Sequence, residues 1–273
     1  MRILVCLAAG LLLASCTVSG AEPSPSGTPS PTAGPKQTVA VYYTLTTGEG
    51  FGPRLVREFH QVAGAAGTVV DQVRAAVTEM LSRNAFDPDY ANLWPARTEL
   101  SAVSVAGNTA TVDIAGAASA NLGAQASGIA VQQLIWTATA VAGIDEVRIL
   151  LDGKAAPRLW GHVDISGALK RGSSVEVLAP VWLISPQHGE HTGREVTLHI
   201  AGIAYEATVN YEVRVGTQIV KEGFVTLSKG APQQGEAKQT VTLEPGNYVI
   251  AAYLVSSEDA EREHLDDHSI TVG

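Results

Sequence analysis

Cysteine is almost absent from this 273-residue chain: Cys6 and Cys16 are the only two. No disulfide framework can be built from a pair placed so close to the start, so any fold must rest on apolar packing. Positive charge is scarce as well, with 18 Lys and Arg against 27 Asp and Glu and a net charge of −9. A chain without a basic stripe lacks the phosphate-neutralising surface that nucleic-acid binding needs, which excludes that class of partner. Catalytic spacings are missing too. There is no G-x-S-x-G elbow for a serine nucleophile. The run Gly48-Glu49-Gly50-Phe51-Gly52 has neither the P-loop lysine nor the dinucleotide spacing and reads as a flexible loop. What is present is a 45% hydrophobic share over a length that suits two domains.

The two cysteines sit in a patterned N-terminus. Arg2 supplies a positive start and Ile3 to Leu13 is an uncharged apolar stretch, too short for a permanent bilayer span. Small residues follow, with Leu13-Ala14-Ser15 at the −3 to −1 positions and Cys16 at +1. This resembles the bacterial lipobox. The expectation is cleavage between Ser15 and Cys16, acylation of the Cys16 thiol, and a mature chain held to the membrane by lipid outside the cytoplasm. Each buried acyl methylene contributes about 0.8 kcal/mol to membrane partitioning, so two or three chains anchor stably. Residues 1–15 are thus read as a signal peptide. Residues 16–37 are rich in Pro, Ser and Thr and read as a disordered tether, because they cannot bury enough apolar surface to offset ordering.

Beyond the tether the pattern changes twice. Residues 38–170 read as an α+β domain in the order β-α-β-β-α-β, two helices lying on one side of a small sheet. Val39 to Tyr43 opens it as a strand. Thr46 to Gly67 reads as a polar insertion. Val69, Val73, Ala76, Val77, Met80 and Leu81 recur at helical spacing behind a Thr68–Asp71 capping box. Leu100–Val105 and Ala110–Ile114 alternate around Gly107-Asn108, a hairpin signal. Leu122 to Val141 is a second helix that Gly143 ends, and Glu146–Leu151 is a closing strand before the turn Asp152-Gly153. Residues 173–273 read as an all-β immunoglobulin-like sandwich. Its expected strands are Val175–Val177, Val196–Ala201, Thr208–Val215, Gln218–Lys221, Gly223–Leu227, Gln239–Leu243, Tyr248–Val255 and Ser269–Val272, with no helix among them. Leu243-Glu244-Pro245-Gly246-Asn247-Tyr248 is similar to a tyrosine corner, in which the hydroxyl bonds back to the turn before its strand.

These dispersed motifs carry a family resemblance. Val39 to Tyr43, Ala75-Ala76-Val77, Trp94-Pro95, Val103-Ser104-Val105, Gln133 to Thr137 and Val147 to Lys154 together resemble the GerMN domain of sporulation and spore-germination proteins. Val177-Leu178-Ala179-Pro180, Ile200-Ala201-Gly202 and Pro245 to Tyr248 resemble the immunoglobulin-like domain that follows GerMN in germination-type lipoproteins, with Ala179 where that pattern has serine. The resemblance implies a ring-building-like α+β fold, a lipid-anchored envelope protein, partners among envelope proteins or further copies of itself, and no catalytic residues. Peptidoglycan or another cell-surface carbohydrate is the alternative ligand.

Three clusters invite chemistry. His188-Gly189-Glu190-His191 places two histidines three apart beside Pro186, whereas a zincin needs them a helical turn apart; an exposed loop is the expected reading. Glu258, Asp259, Glu261, Glu263, His264, Asp266, Asp267 and His268 form an acidic run without the glycine-punctuated calcium pattern and read as a solvated loop. Trp94, Trp136, Trp160 and Trp182 are expected in the core or at the domain junction, with sugar stacking as the alternative. No metal or cofactor is expected.

Overall fold

The computed structural model describes residues 36–45, 52–82, 84–117 and 120–273. The signal peptide, Ser15, Cys16, nearly all of the tether and most of the Gly48–Gly52 run lie outside them. Lys36 and Gln37, read as the end of the tether, already belong to the first strand.

In chain order the elements are β1 (Lys36–Leu45), β2 (Arg54–Ala63), α1 (Val69–Ser82), β3 (Tyr90–Ala91), β4 (Glu99–Ala106), β5 (Thr109–Ala115), α2 (Ala124–Thr139) and β6 (Glu146–Leu151). Four two-residue strands follow: β7 (Lys154–Ala155), β8 (Arg158–Leu159), β9 (Val163–Asp164) and β10 (Ala168–Leu169). After the single turn α3 (Ser174–Val177) come β11 (Val181–Ser185), β12 (His191–Thr192), β13 (Glu195–Gly202), β14 (Thr208–Val215), β15 (Gln218–Thr226), β16 (Gly235–Thr242), β17 (Gly246–Val255) and β18 (Arg262–Val272).

The N-terminal part is mixed α and β, but its topology departs from the expected order. Arg54–Ala63, inside the stretch taken for a polar insertion, is a full strand paired antiparallel with β1 from Lys36↔Ala63 to Leu45↔Arg54. The reason is chemical. Its buried positions are Leu55, Val56, Glu58 and His60; the last three alternate, but two of those are polar, so no hydrophobic period appears. The sheet is also double rather than single: β2-β1-β3 on one side and β10-β6-β5-β4 on the other. Both helices contact strands of both sheets. β5, α2 and β6 form a parallel crossover unit, which only a helix-length connection allows.

Local signals at the helices and turns hold. Thr68 and Asp71 satisfy each other's backbone N–H groups, with Thr68 N donating to Asp71 Oδ2 at 2.9 Å and Asp71 N to Thr68 Oγ1 at 3.3 Å. Val73, Ala76, Val77 and Met80 face the core, while Val69 is more than a third exposed. Val131, Leu134, Ile135 and Ala138 of α2 are buried as expected. Gly116, just past β5, sits at φ +72, and a Cβ there would clash with Arg97 O. Gly116→Ala should therefore cost at least about 1–2 kcal/mol, read as a lower denaturant midpoint; an unchanged midpoint would contradict the clash.

The C-terminal part is a sandwich of β11-β13-β16 against β12-β18-β17-β14-β15. Tyr248 Oη donates to Glu244 O at 2.9 Å, the tyrosine-corner bond read from sequence. Three strand expectations change. Val175–Val177 is part of the helical turn α3, its amides at 176 and 177 bonded to Ser173 O, because three residues are too few for alternation to discriminate. The segments on either side of Glu222 form one strand with a bulge near Ile219. Ser269–Val272 is only the end of β18, which starts at Arg262 and takes in most of the supposed acidic loop, from Glu263 to His268.

Candidate functional site at the junction

β11 went unread in the sequence, and it organises the junction. It is the edge strand of the smaller sheet, and four of its five residues are buried. Val181 and Leu183 point into the sandwich core, while Trp182 and Ile184 belong to the N-terminal core. The available signal was the continuous apolar run Val181 to Ile184, which fits a strand covered on both faces but has no period to separate it from a buried helical turn. Ala201, paired with Trp182 on β13, faces the N-terminal core as well. One hydrophobic cluster thus draws side chains from both parts of the chain.

Polar bonds surround this apolar contact. Ala179 N donates to Leu55 O at 2.9 Å, beside a lone parallel bridge between Leu55 and Leu178. Gln187 Nε2 donates to Phe59 O at 2.6 Å. Arg57 of β2 pairs with Glu236 of β16 at 2.7 Å. Glu236 also accepts from His199 and Gln234, and these bonds, led by His199, hold its carboxyl far below the ordinary range despite partial burial.

Deeper in the seam lies a buried acid–histidine network. Glu58 accepts the backbone N–H groups of Phe86 and Asp87 at 3.0 Å and contacts His60 Nε2 at 2.8 Å. His60 Nδ1 contacts Glu79 at 2.9 Å. Burial works against protonation of His60, but Glu58 and then Glu79 outweigh it and raise its pKa. Asp87 Oδ2 lies 3.3 Å from both His188 Nδ1 and His268 Nε2. Tyr90 Oη donates to the Asp266 carboxylate at 2.9 Å, and Leu183 N donates to Asp266 Oδ2 at 2.6 Å. His268 Nδ1 is 2.6 Å from Pro186 O, the geometry of an imidazole N–H donating to a carbonyl. Burial raises Asp87 and pushes Asp266 up to about 6. Burial and the neighbouring Asp266 and Asp87 push the Tyr90 phenol well above its usual value.

The sequence-flagged clusters divide here. His188 joins the network through Asp87, but His191 is exposed on β12 and pairs with β18. Glu258, Asp259, Glu261 and Glu263 are exposed, while Asp266 and His268 are buried in the seam, so the solvated-loop reading fails for those two. Among the described residues no three His, Cys, Asp or Glu converge on a point that could hold a metal ion. Trp94, Trp136 and Trp182 are buried and Trp160 half-buried. Trp160 packs on Trp94 at 5.2 Å rather than across the junction. Two clefts flank the seam. One of about 960 Å³ lies between β2 and the His188 turn. The other, of about 650 Å³, is lined by the start of β18 together with Arg54 and Asp89.

An α+β part fused through a polar seam to an immunoglobulin-like sandwich defines the class of protein. Residues 40–157 match the family model described as sporulation and spore germination, and residues 180–261 match the immunoglobulin-like domain of bacterial spore germination. The chain carries a GerMN-like domain followed by an immunoglobulin-like spore-germination domain. No curated protein matches it. Among solved structures it is similar to a candidate lipoprotein of Clostridium perfringens, at 19% identity over 50% of this chain and 88% of that one, with a TM-score of 0.36. It is also similar to the first GerMN domain of the sporulation protein GerM of Bacillus subtilis, at 18% identity over 50% and 98%, with a TM-score of 0.39. The tandem GerMN domains of that protein give 15% identity over 54% and 49%, with a TM-score of 0.41.

Proposed function

We propose that the chain is a lipid-anchored, extracytoplasmic envelope protein whose two domains act as one non-catalytic interaction or assembly module, in a germination-related or other envelope setting. The observation that carries this reading is β11, whose two faces fill two cores. A strand shared in that way holds both domains in one relative pose, so that they present a single composite surface to a partner. Exposed Tyr205 and Phe224, 88% and 66% accessible, give the sandwich apolar contact points outside the seam. No helix among the described residues is long and apolar enough to cross a membrane. Attachment is assigned to Cys16 on the lipobox-like run Leu13-Ala14-Ser15-Cys16. The carbohydrate alternative relies on exposed tryptophan faces, and Trp94, Trp136 and Trp182 are buried while Trp160 is half-buried.

Two measurements test the proposal. In fractionated cells the parent protein should stay with membranes through alkaline extraction, while Cys16→Ala should appear in the soluble extracytoplasmic fraction or persist as uncleaved precursor. An alanine variant that is still cleaved and still membrane-bound would overturn the anchor. For the module, cross-linking in intact membranes should trap a discrete envelope protein or a second copy. A strictly monomeric profile with no cross-linked product would overturn it.

A further inference from the structure

We propose that the seam between the two domains is a proton-operated joint, fastened when the buried Asp87–Asp266 pair holds a proton and loosened when that proton leaves. This rests on the two domains being held in one pose, and it adds a control to that pose.

The geometry places two carboxylates in one dry site from opposite sides. Asp87 comes from the GerMN-like domain and Asp266 from β18, with side chains 1% and 2% exposed. They converge on one imidazole: His268 Nε2 is 3.3 Å from Asp87 Oδ2 and 3.9 Å from Asp266 Oδ2. The other groups facing the pair are few. From β3, Tyr90 donates its hydroxyl to Asp266. From β11 and the turn after it come Leu183 N–H, on Asp266, and His188, on Asp87. Asp89 donates its backbone N–H to Asp87 Oδ1 at 2.7 Å while its own negative charge raises Asp87. From β2, Glu58 accepts the Asp87 N–H and brings a third buried carboxylate, itself joined to His60 and, through it, to Glu79 of α1. The ion-pair partners of Asp87 and Asp266 among the described residues are histidines alone. Carboxylates sharing a buried site cannot all ionise without cost, and histidine is the side chain whose charge ordinarily changes between pH 5 and 8.

The sign follows from the raised values. Asp266 is pushed up to about 6 by burial first, with the Asp87 charge adding to it. A carboxyl raised on folding contributes stability fully below its ordinary value near 3.8 and loses that contribution as pH rises through about 6. His60, also raised, contributes fully below 6.5 and loses its share as pH climbs through its folded value. Of these two, only Asp266 bridges the domains and opens the seam on the alkaline side. The partners of His60, Glu58 and Glu79, lie within the GerMN-like domain, so its loss weakens that domain and leaves the seam to Asp266. Glu236 works oppositely: its lowered carboxyl stabilises above 4.5 and is lost as pH falls, which bounds the fastened state on the acid side.

The test is amide hydrogen exchange on the full chain. It is read at Ala179, whose N–H crosses the seam to Leu55 O, after correction for the intrinsic pH dependence of exchange. Protection should be about tenfold higher at pH 5.5 than at pH 8, the equivalent of about one pKa unit of differential interaction. Asp266→Asn, which mimics the protonated carboxyl, should keep the acid-side protection at both pH values. Tyr90→Phe removes a donor that favours the ionised carboxylate, so the loosening midpoint should move to higher pH; this variant carries the test if the asparagine form does not fold. Equal protection at both pH values in the parent would overturn the proposal, as would an unchanged pH profile in either variant. Loss of membrane attachment or of partner cross-linking bears on the proposed function and leaves this exchange profile untouched.

Discussion

Trp182→Ala should lower the unfolding free energy by about 3–5 kcal/mol, the range for emptying a buried aromatic site. The size of the effect comes from where this side chain lies. Its backbone is hydrogen-bonded in the sandwich sheet opposite Ala201, yet its ring, fully buried, fills the core of the GerMN-like domain. Removing it leaves a void in one domain and removes the wedge that seats that domain on the other. Denaturant unfolding followed by probes in each half should show the loss in both. Leu183→Ala, one residue on, opens the sandwich core instead and should be felt there first. Trp182 Nε1 has no hydrogen-bond partner, so Trp182→Phe, which removes that buried donor along with some volume, should cost much less than the alanine change. A loss below about 1 kcal/mol for Trp182→Ala would mean that the ring does not hold the joint.

The second large effect is expected at Glu58. Its side chain is 3% exposed and serves Phe86 N–H, Asp87 N–H and the ring of His60 at once. Glu58→Ala orphans two backbone donors and leaves a buried imidazole with Glu79 alone, which should cost about 3–5 kcal/mol. The pH profile should change in shape as well. Burial opposes the His60 charge and Glu58 is the foremost group that raises its pKa, so the share of the alkaline-side stability loss that comes from His60 should be much reduced in the variant, leaving the Asp266 share. Thermal melts at pH 5.5, 7 and 8.5 measure both. A variant with the parent's slope would show that His60 does not depend on Glu58.

Sequence legibility follows the chemistry of the inward positions. α1, α2, the Gly107-Asn108 hairpin and Tyr248 could be read because apolar period, caps and turn residues coincide there. β2 could not, because Glu58 and His60 occupy core positions and only a partner on α1 makes that tolerable. The same holds for Asp266 and His268, which lie in a run of charges that looks solvated until β3 and the Asp87 segment cover it. β11 failed for the opposite reason. Its unbroken apolar run has no period to count, and its two covered faces follow from the tertiary arrangement. Where the inward residue is polar, or where every residue is inward, pattern gives no direction.

The ladder between β1 and β2 has a mechanical consequence. Tension arriving through the chain before Lys36 enters β1 at the end paired with Ala63. It leaves toward the sandwich near Leu55 and Arg57, whose partners Thr44 and Tyr42 lie toward the far end of β1. The two strands are therefore loaded in shear, with the rungs between those points strained together rather than peeled one after another. A protein tethered at one end and gripped through its second domain would meet force with its stiffest direction.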